Sequence, residues 1–365
     1  MRVLQVIETG GPGGAETVFA SLASGLNERG HEVWCVIAAG SWLPQELMRR
    51  GIEATIMHSG GSLDSLLLSQ LRRMIRDHRI ELVHAHLFEG SLYASLAARL
   101  EGIPCVTTLH GQADVGREGW KAWVKRTMFA RAVSCVVAVS DALRHELQSS
   151  LPIPASRFRT IVNGVDREPV HLSGQTTRGE STAPRLIAIG NIRQPKDYPT
   201  LLDALAIVRN TLPAVHLDIA GEPDRDGLDK QLRAKVERLH LHDHVTFHGF
   251  VADPAPLLAR AHCFVLSSSR EGFSLATIEA MLAGIPVVAT RSGGPQEILR
   301  DGETGLLVPT DNAVALADAI VRMLSDAPLA QRCREQAVAD AARRFTLPAM
   351  VTSYEHLYTE LLAGR

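Results

Sequence analysis

Short apolar runs rich in β-branched residues alternate with segments of helical periodicity along the first 165 residues. The runs that predict strands are Val3–Ile7, Val33–Ile37, Ala54–Met57, Leu82–Ala85, Cys105–Leu109 and Val133–Val139. Between the first two runs, Glu16–Glu28 has its apolar residues on one side of a helix, and Gly30 follows where such a helix ends. Continuously apolar strands separated by helices indicate a parallel sheet covered on both faces.

The same alternation restarts near residue 185. The second set of predicted strands is Leu186–Ile189, His216–Ala220, Val245–Phe247, Cys263–Leu266 and Val287–Ala289, followed by helical patterns over 312–365. Residues 166–184 lack apolar periodicity and are rich in Ser, Thr, Gly and Pro, which predicts a linker. We therefore predict an α/β fold with two tandem doubly wound parallel-sheet domains, residues 1–165 and 185–345, and a terminal helix, 346–365, that packs back on the first domain. Ligands of such sheets bind outside the carboxyl ends of the strands, so we expect the site in the cleft between the domains.

Composition and charge exclude several classes of protein. Apolar residues make up 45% of the chain, and 38 Lys and Arg against 40 Asp and Glu give a net charge of −2, which argues against wholesale disorder and against a basic nucleic-acid-binding surface. The five cysteines form no CxxC pair, and four of them lie in apolar runs, so we expect them to be reduced and buried. The sequence has neither a membrane-spanning apolar run nor a signal-peptide pattern, so we expect a cytoplasmic protein.

A glycine-rich loop follows the first strand. Thr9–Glu16 holds four glycines before the first helix, and Gly13 and Gly14 can bring backbone N–H groups close to an anion. A dinucleotide-binding loop would need a third glycine where Glu16 stands, and a ribose-binding carboxylate where the second strand ends at Gly40. The loop therefore indicates either an anion site of another kind or a tight turn without a ligand.

Three histidines fall at or near the ends of predicted strands. His110 follows the fifth strand and precedes Gly111, so its ring can face an open sheet edge, although a histidine in that position is more often structural. His84 and His86 alternate along the fourth strand and therefore share one face, which is either core or site. Their spacing matches no HExxH-type motif, so we expect no metal site.

The most informative loop follows the predicted strand Cys263–Leu266. Glu271 lies in this loop, and Gly272 and Ser274 can free backbone N–H groups at the start of the next helix. Glu279 then falls inside an apolar helical segment, where a carboxylate is either solvated or bound to ligand hydroxyl groups. A second glycine-rich turn, 292–297, follows the next strand, and two such helix starts side by side predict a phosphate cradle. Arg193 and Lys196, three residues apart beside an earlier helix start, also suit a diphosphate, although exposed cations usually face water.

In this order along the chain, the motifs resemble glycosyltransferase family 4, a group of retaining enzymes with the GT-B architecture of two Rossmann-like domains. The matching segments are Gly13–Glu16, His110–Gly111, Val137–Asp141, Asn163–Asp166, Lys196 and Glu271–Met281. The resemblance covers essentially the whole chain and implies sugar transfer from a nucleotide diphosphate sugar to a saccharide or lipid-linked acceptor, with retention at the anomeric carbon. It also implies an acceptor-side first domain, a donor-binding second domain, and no metal or other cofactor.

The resemblance assigns a role to each matching residue. The implied catalytic residues are His110 near the reacting carbon, Lys196 beside the diphosphate and Glu271 on the sugar hydroxyls. The implied donor-binding residues are Gly13, Gly14, Arg193, Lys196, Glu271, Gly272, Phe273, Ser274, Leu275 and Glu279, with Glu279 on the ribose. One departure concerns Asn191, which stands where many relatives have arginine; Arg193, two positions later, is the candidate replacement.

Several alternatives stay open. A nucleotide-sugar epimerase or a sugar phosphorylase can use the same architecture, and a degenerate GT-B chain can act as a noncatalytic partner protein. UDP, GDP and ADP donors are equally compatible with the motifs. Asp224–Asp226 is formally a DxD motif, but it lies in a polar loop, and we interpret it as solvated rather than metal-binding.

The segment 117–131, REGWKAWVKRTMFAR, combines five basic residues with one acid and two tryptophans at helical spacing. One interpretation is an ordinary amphipathic helix that packs Trp120 and Trp123 into the core of the first domain. The other is a helix that lies on an anionic membrane surface on the cytoplasmic side, near the acceptor.

Overall fold

The structure, a computed structural model, describes residues 1–40, 42–57, 65–111, 119–170, 183–223 and 227–364. The chain divides into two compact units, Met1–Asp166 together with Leu347–Arg365, and Arg167–Thr346. Three of the predicted features lie wholly or partly outside the described residues: Asp224–Asp226, residues 117–118 of the tryptophan segment, and residues 171–182 of the linker.

Within the described residues, the first unit contains a seven-stranded parallel sheet in the order β3-β2-β1-β4-β5-β6-β7. Its strands are β1 Arg2–Ile7, β2 Glu32–Ala38, β3 Ala54–Met57, β4 Leu82–His86, β5 Cys105–Leu109, β6 Cys135–Ala138 and β7 Phe158–Thr160. The sequence pattern missed β7, because it has three residues and only Phe158 is buried.

The second unit contains a six-stranded parallel sheet in the order β10-β9-β8-β11-β12-β13. Its strands are β8 Arg185–Ile189, β9 His216–Ala220, β10 Val245–Gly249, β11 Cys263–Leu266, β12 Val287–Thr290 and β13 Leu306–Val308. In both units the chain order reverses beside the first strand of the unit, which is the arrangement of a doubly wound sheet and opens a crevice at the carboxyl ends of the strands.

Helices cover both faces of each sheet, as continuously apolar strands require. The helices are α1 Gly14–Glu28, α2 Leu43–Arg49, α3 Ser65–Asp77, α4 Phe88–Leu100, α5 Trp120–Ala132, α6 Asp141–Ser150, α7 Tyr198–Thr211, α8 Leu228–Arg238, α9 Ala255–Arg260, α10 Leu275–Leu282, α11 Pro295–Ile298, α12 Ala313–Ser325, α13 Ala327–Arg344 and α14 Leu347–Ala363. None of the helices in the described ranges is long and apolar enough to cross a membrane.

Helix α14 packs in the first unit, although it follows the second unit in the chain. Gly25 on α1 permits this contact, because a Cβ at that position would lie 2.6 Å from Val351 Cγ2. The carboxylate of Glu355 accepts from both Arg29 and His31, which joins α14 to the end of α1.

The cysteines and tryptophans differ sharply in burial. All five cysteines are free and buried, and burial raises the pKa of Cys35 to about 12. Trp120 and Trp123 of α5 are 74% and 67% exposed, whereas Phe129 at the end of the same helix is fully buried. The interpretation that packs the tryptophan pair into the core is therefore wrong, because the buried residues of α5 are Phe129, Ala130 and Ala132, at the end of the helix.

Candidate active site

The loop after β8 is held against its neighbour by backbone contacts. A Cβ on Gly221 would collide with the carbonyl oxygen of Gly190. The loops after β8 and β9 can therefore approach this closely only because residue 221 is a glycine. Tyr198 donates its hydroxyl to the Gly190 carbonyl at 2.5 Å, and Asn191 Oδ1 accepts from the Glu222 N–H at 3.1 Å. Asn191 thus fastens one loop to the next.

This loop ends at Lys196, whose ammonium contacts a carboxylate in the loop after β11. Lys196 Nζ lies 2.5 Å from Glu271 Oε2, and the buried Ser268 hydroxyl donates to the same oxygen at 3.1 Å. Ser267 donates to the Lys196 carbonyl at 2.9 Å, which ties the loop after β8 to the loop after β11. The structure therefore brings together two of the three predicted catalytic residues at the carboxyl edge of the second sheet.

Arg193 takes no part in this contact. It lies in extended backbone before the short 3₁₀ helix Gln194–Lys196, and its side chain is exposed. Among the described residues, no ion pair joins Arg193 to a carboxylate. The Arg193 side chain is consequently less restrained than that of Lys196, which the contact with Glu271 holds in place.

The two glycine-rich turns after β11 and β12 bind one another through their backbones. The Glu271 N–H donates to the Ser292 carbonyl, and the Gly294 N–H donates back to the Glu271 carbonyl, both at 2.8 Å. A Cβ on Gly294 would collide with the Gly272 carbonyl oxygen, so a larger residue would force the turns apart. The two turns of the predicted cradle are thus joined directly through their backbones.

Helix α10 begins directly after the first of these turns. Ser274 is its N-cap, and the Ser274 hydroxyl oxygen accepts from the Thr277 N–H at 3.3 Å and the Thr277 hydroxyl at 2.9 Å. Phe273 is buried edge-on against Phe345, with ring centroids 5.6 Å apart. These side chains stabilise the turn, which leaves the first backbone N–H groups of α10, including that of Leu275, as the groups available to an anion.

Glu279 lies one turn into α10 and is half-buried. Burial raises the pKa of its carboxyl, and the charge of Arg167 partly opposes that shift. No hydrogen bond to this carboxylate occurs in the ranges that the structure describes. A half-buried carboxylate in this position can accept hydrogen bonds from ligand hydroxyl groups.

In the first unit, Gly13 and Gly14 start α1 as predicted, with Gly13 in extended backbone and Gly14 exposed. The carboxylate of Glu16 folds back so closely that a Cβ on Gly13 would collide with it. The Glu8 carboxylate similarly accepts from the N–H groups of Glu89 and Gly90 at the start of α4. Side chains of this unit therefore already place negative charge at both of these helix starts.

His110 lies where the sequence places it, immediately after β5. Its Nε2 is 3.1 Å from His86 Nδ1, and the two ring planes lie within 18° of parallel with centroids 5.4 Å apart. Burial lowers the pKa of His110 to about 4 and holds that of His86 well below its usual range. Both imidazoles are consequently neutral at pH 7. The sequence did not reveal this, because it left open whether the shared face of His84 and His86 belongs to the core or to the site.

Comparison with known proteins identifies the family. Residues 12–169 match the model described as Glycosyltransferase Family 4, and residues 183–326 match the model described as Glycosyl transferases group 1. The N-acetyl-alpha-D-glucosaminyl L-malate synthase of Bacillus anthracis is 30% identical over 370 residues, which cover 96% of this chain and 94% of that protein. The chain belongs to glycosyltransferase family 4. Two further relatives match over most of their length. The lipopolysaccharide core biosynthesis glycosyltransferase LpsE of Rhizobium meliloti is 30% identical, over 95% of this chain and 96% of LpsE. The phosphatidyl-myo-inositol mannosyltransferase of Mycobacterium leprae is 28% identical, over 95% of this chain and 93% of that protein.

Solved structures agree with this family 4 assignment at the level of the fold. Anabaena HepE in complex with UDP and glucose superimposes with a TM-score of 0.86 at 24% identity, over 99% of this chain and all of HepE. A glycosyltransferase from Rickettsia africae gives a TM-score of 0.85 at 21% identity, over 100% and 99% of the two chains. The predicted tandem Rossmann-like domains of the GT-B class are thereby confirmed. The family and the named relatives identify the chain as a glycosyltransferase.

Proposed function

We propose that this family 4 enzyme transfers a sugar from a nucleotide diphosphate sugar to a saccharide or lipid-linked acceptor, with retention and without a metal. The observation that carries the proposal is the contact between Lys196 and Glu271, followed by a helix in which the Glu279 carboxylate has no hydrogen-bond partner among the described residues. One cation and two carboxylates suit a ligand that has both a diphosphate and several hydroxyl groups.

Lys196 has the central electrostatic role in this proposal. When a donor binds, its diphosphate oxygens compete with Glu271 for the Lys196 ammonium. Negative charge on the diphosphate grows as the bond to the sugar breaks, so a fixed cation stabilises the transition state more than the bound substrate. The α10 backbone N–H groups of the cradle add to this stabilisation.

The two glutamates then act as hydrogen-bond acceptors. Once Lys196 turns to phosphate, the Glu271 carboxylate gains capacity for sugar hydroxyls, while Ser268 continues to hold it in place. Glu279 accepts from the ribose hydroxyls, as a carboxylate beside the cradle is able to do. HepE contains UDP and glucose, which supports UDP-glucose as the first donor to test.

A panel of UDP, GDP and ADP sugars in a thermal-shift assay tests the donor class. A specific donor at one hundred times its Kd stabilises the protein by about 2.7 kcal/mol. The anomeric configuration of the sugar in the product tests retention, and turnover with EDTA tests the metal-free mechanism. No stabilisation by any donor contradicts the donor assignment, and loss of activity in EDTA with rescue by magnesium or manganese contradicts the metal-free part.

The exposed tryptophans of α5 support a second proposal, that the enzyme docks on an anionic membrane to reach a lipid-linked acceptor. Trp120 and Trp123 lie one turn apart and are mostly exposed, and Lys121 and Arg131 are exposed on the same helix. Lys125 contributes less, because its ammonium lies 2.6 Å from Glu89. Aromatic and basic side chains together suit the interface of an anionic bilayer.

Cosedimentation with vesicles tests this docking. We expect the enzyme to sediment with vesicles that contain anionic lipid and to be released by salt, because each basic residue near the surface contributes about 1 kcal/mol. The Lys121→Glu variant should bind less, and the exposed Lys230→Glu variant on α8 serves as the control. Equal binding to neutral vesicles, or equal loss in both variants, contradicts the proposal.

A further inference from the structure

The end of helix α13 contacts both turns of the cradle, and the proposed reaction uses none of its residues. The helix ends at Arg344, and Phe345 follows directly. One turn is the loop after β11, which contains Phe273, and the other is the loop after β12, which leads into α11. Two adjacent residues therefore meet the two turns that are proposed to hold the donor diphosphate.

Arg344 binds the carboxyl end of α11. Its Nη2 donates to the Glu297 carbonyl at 2.5 Å, and its Nη1 donates to the Ile298 carbonyl at 3.4 Å. The last carbonyls of a helix have no partner within that helix, so a cationic donor stabilises this end. Because α11 has only four residues, it is not stable by itself, and its position depends on outside contacts such as these.

The same guanidinium also covers an aromatic ring that supports the other turn. Arg344 Cζ lies 4.5 Å from the centroid of the Phe345 ring. Phe345 is buried and meets Phe273 of the first turn edge-on. A cation over the face of a ring is attracted to it, so Arg344 restrains the ring against which Phe273 packs.

Asp340, one turn earlier on α13, fixes the orientation of Arg344. Its buried carboxylate accepts from Arg344 Nη1 at 2.6 Å through Oδ2, and from Arg300 at 2.9 Å and Arg343 at 2.7 Å through Oδ1. Burial by itself would raise the pKa of Asp340, but hydrogen bonds from Arg300 and Arg344 outweigh it, and the pKa lies below its usual value. Asp340 is therefore ionised at neutral pH and pairs with Arg344 as a charged acceptor.

Arg343 provides an internal comparison on the same helix. It donates to the same carboxylate of Asp340, but its side chain is 71% exposed. In the described part of the chain, it donates to no group of α11 and lies over no aromatic ring. The ion pair with Asp340 is thus common to both arginines, whereas the contacts with the two turns belong to Arg344.

We propose that Arg344 is a positioning residue of the donor site, which sets the geometry of the cradle by holding α11 and Phe345 at the same time. The restraint on the turns stands on the contacts of Arg344, and only its effect on a nucleotide diphosphate sugar rests on the proposed function. Hydrogen bonds from the α10 backbone N–H groups to a diphosphate depend steeply on direction, so a displaced turn would bind it less well. Lysine can pair with Asp340, but it lacks the planar fork that reaches two carbonyls and covers a ring.

Hydrogen–deuterium exchange of the full-length chain, measured by mass spectrometry, tests the restraint without any ligand. We expect backbone amides of 271–275 and 293–299 to exchange about tenfold faster in Arg344→Lys than in the wild type, the effect of one lost hydrogen bond. Arg343→Lys should match the wild type, and peptides covering 82–86 of the first unit serve as the internal reference. Unchanged exchange in the two turns, equal acceleration in both variants, or equal acceleration along the whole chain overturns the proposal.

Donor binding tests what the restraint does for the enzyme. With a donor identified by thermal shift, we expect Arg344→Lys to raise the donor Kd about five- to tenfold and to lower kcat by a similar factor, because the same turns act on the transition state. Arg343→Lys should change neither quantity.

A merely structural role for Arg344 would lower the melting temperature of Arg344→Lys and leave the donor Kd of the folded variant unchanged, and that result would overturn the proposal. A wild-type enzyme that binds no nucleotide sugar would instead contradict the proposed function, while the exchange measurement would still decide whether Arg344 restrains the turns.

Discussion

The carboxyl edges of the two sheets carry opposite kinds of chemistry. In the second unit the edge presents charge: an ammonium and a carboxylate in contact at Lys196 and Glu271, and a further carboxylate at Glu279. In the first unit it presents the neutral imidazole of His110, and the helix starts nearby are already occupied by the carboxylates of Glu8 and Glu16.

This difference shows how one fold can serve two kinds of ligand. A cation beside free backbone N–H groups favours a diphosphate, whereas helix starts covered by carboxylates disfavour one. A neutral imidazole, in contrast, suits hydroxyl groups of an uncharged sugar. If the proposed donor site is right, we expect the first unit to select ligands by hydrogen bonds and the second by charge.

The largest effect should come from the cation of the second unit. We expect Lys196→Ala to lower kcat by about two to three orders of magnitude and to raise the donor Kd by much less, since charge on the leaving group grows in the transition state. Steady-state kinetics and calorimetry measure the two quantities. Lys230→Ala removes an exposed lysine of α8 and should leave both unchanged. Equal effects on kcat and on donor affinity would contradict the electrostatic role.

Glu279→Gln should raise the donor Kd about ten- to a hundredfold, because a carboxylate forms stronger hydrogen bonds to ribose hydroxyls than an amide does. Since burial raises the pKa of Glu279, wild-type donor affinity should also fall as acid protonates this carboxyl, at a higher pH than for an exposed glutamate. Calorimetric titration over pH checks both expectations. Glu237→Gln, on the exposed side of α8, is the matched control, and unchanged affinity in a folded Glu279 variant would refute the assignment.

The buried histidines should make the first unit sensitive to acid. Burial lowers the pKa of His110 to about 4, below the value near 6.5 of an unfolded chain. The unfolded state therefore binds a proton first, so this stabilisation is complete above about pH 6.5 and is lost as the pH falls toward 4. The melting temperature should fall more steeply over this range in the wild type than in His110→Gln. Parallel curves for the two proteins would mean that His110 is not held neutral.

The smallest effect should come from Arg193. Its side chain is exposed, so Arg193→Ala should weaken donor binding only about two- to fivefold, and less at high salt. Arg332→Ala, an exposed site on α13, provides the control. Asn191→Ala should weaken donor binding more than Arg193→Ala does, because it removes the hydrogen bond to Glu222 that holds the loop that positions Lys196. The reverse order would show that Arg193 replaces the family arginine.

Sequence patterns predicted the alternating strands well because buried parallel strands have continuous apolar runs. They failed for the three-residue strands β7 and β13, whose runs are too short to stand out. At the site, the glycine turns and Glu271 were recognisable from adjacent residues. The hydrogen bond from the Ser268 hydroxyl to Glu271 could not be predicted, because the partner of a serine side chain leaves no periodic pattern in the sequence.

The buried histidines of the first unit illustrate a different limit of sequence patterns. His84 depends on Tyr358, 274 residues later in the chain, and nothing local in either segment indicates that contact. The alternation of His84 and His86 predicted a shared face, but whether that face was core or site depended on a helix that follows the other unit.

The placement of α14 also imposes an order on biosynthesis. The ribosome completes all of the second unit, Arg167–Thr346, before it synthesises Leu347–Ala363. Until then the nascent first unit lacks the hydroxyls of Tyr354 and Tyr358, which contact Thr108 and His84 in the finished protein. The surface of α1 around Gly25, which α14 later covers, also stays exposed. A translation product that stops at Thr346 would therefore have a finished second unit and a first unit open beside His84, a ready target for chaperones and proteases.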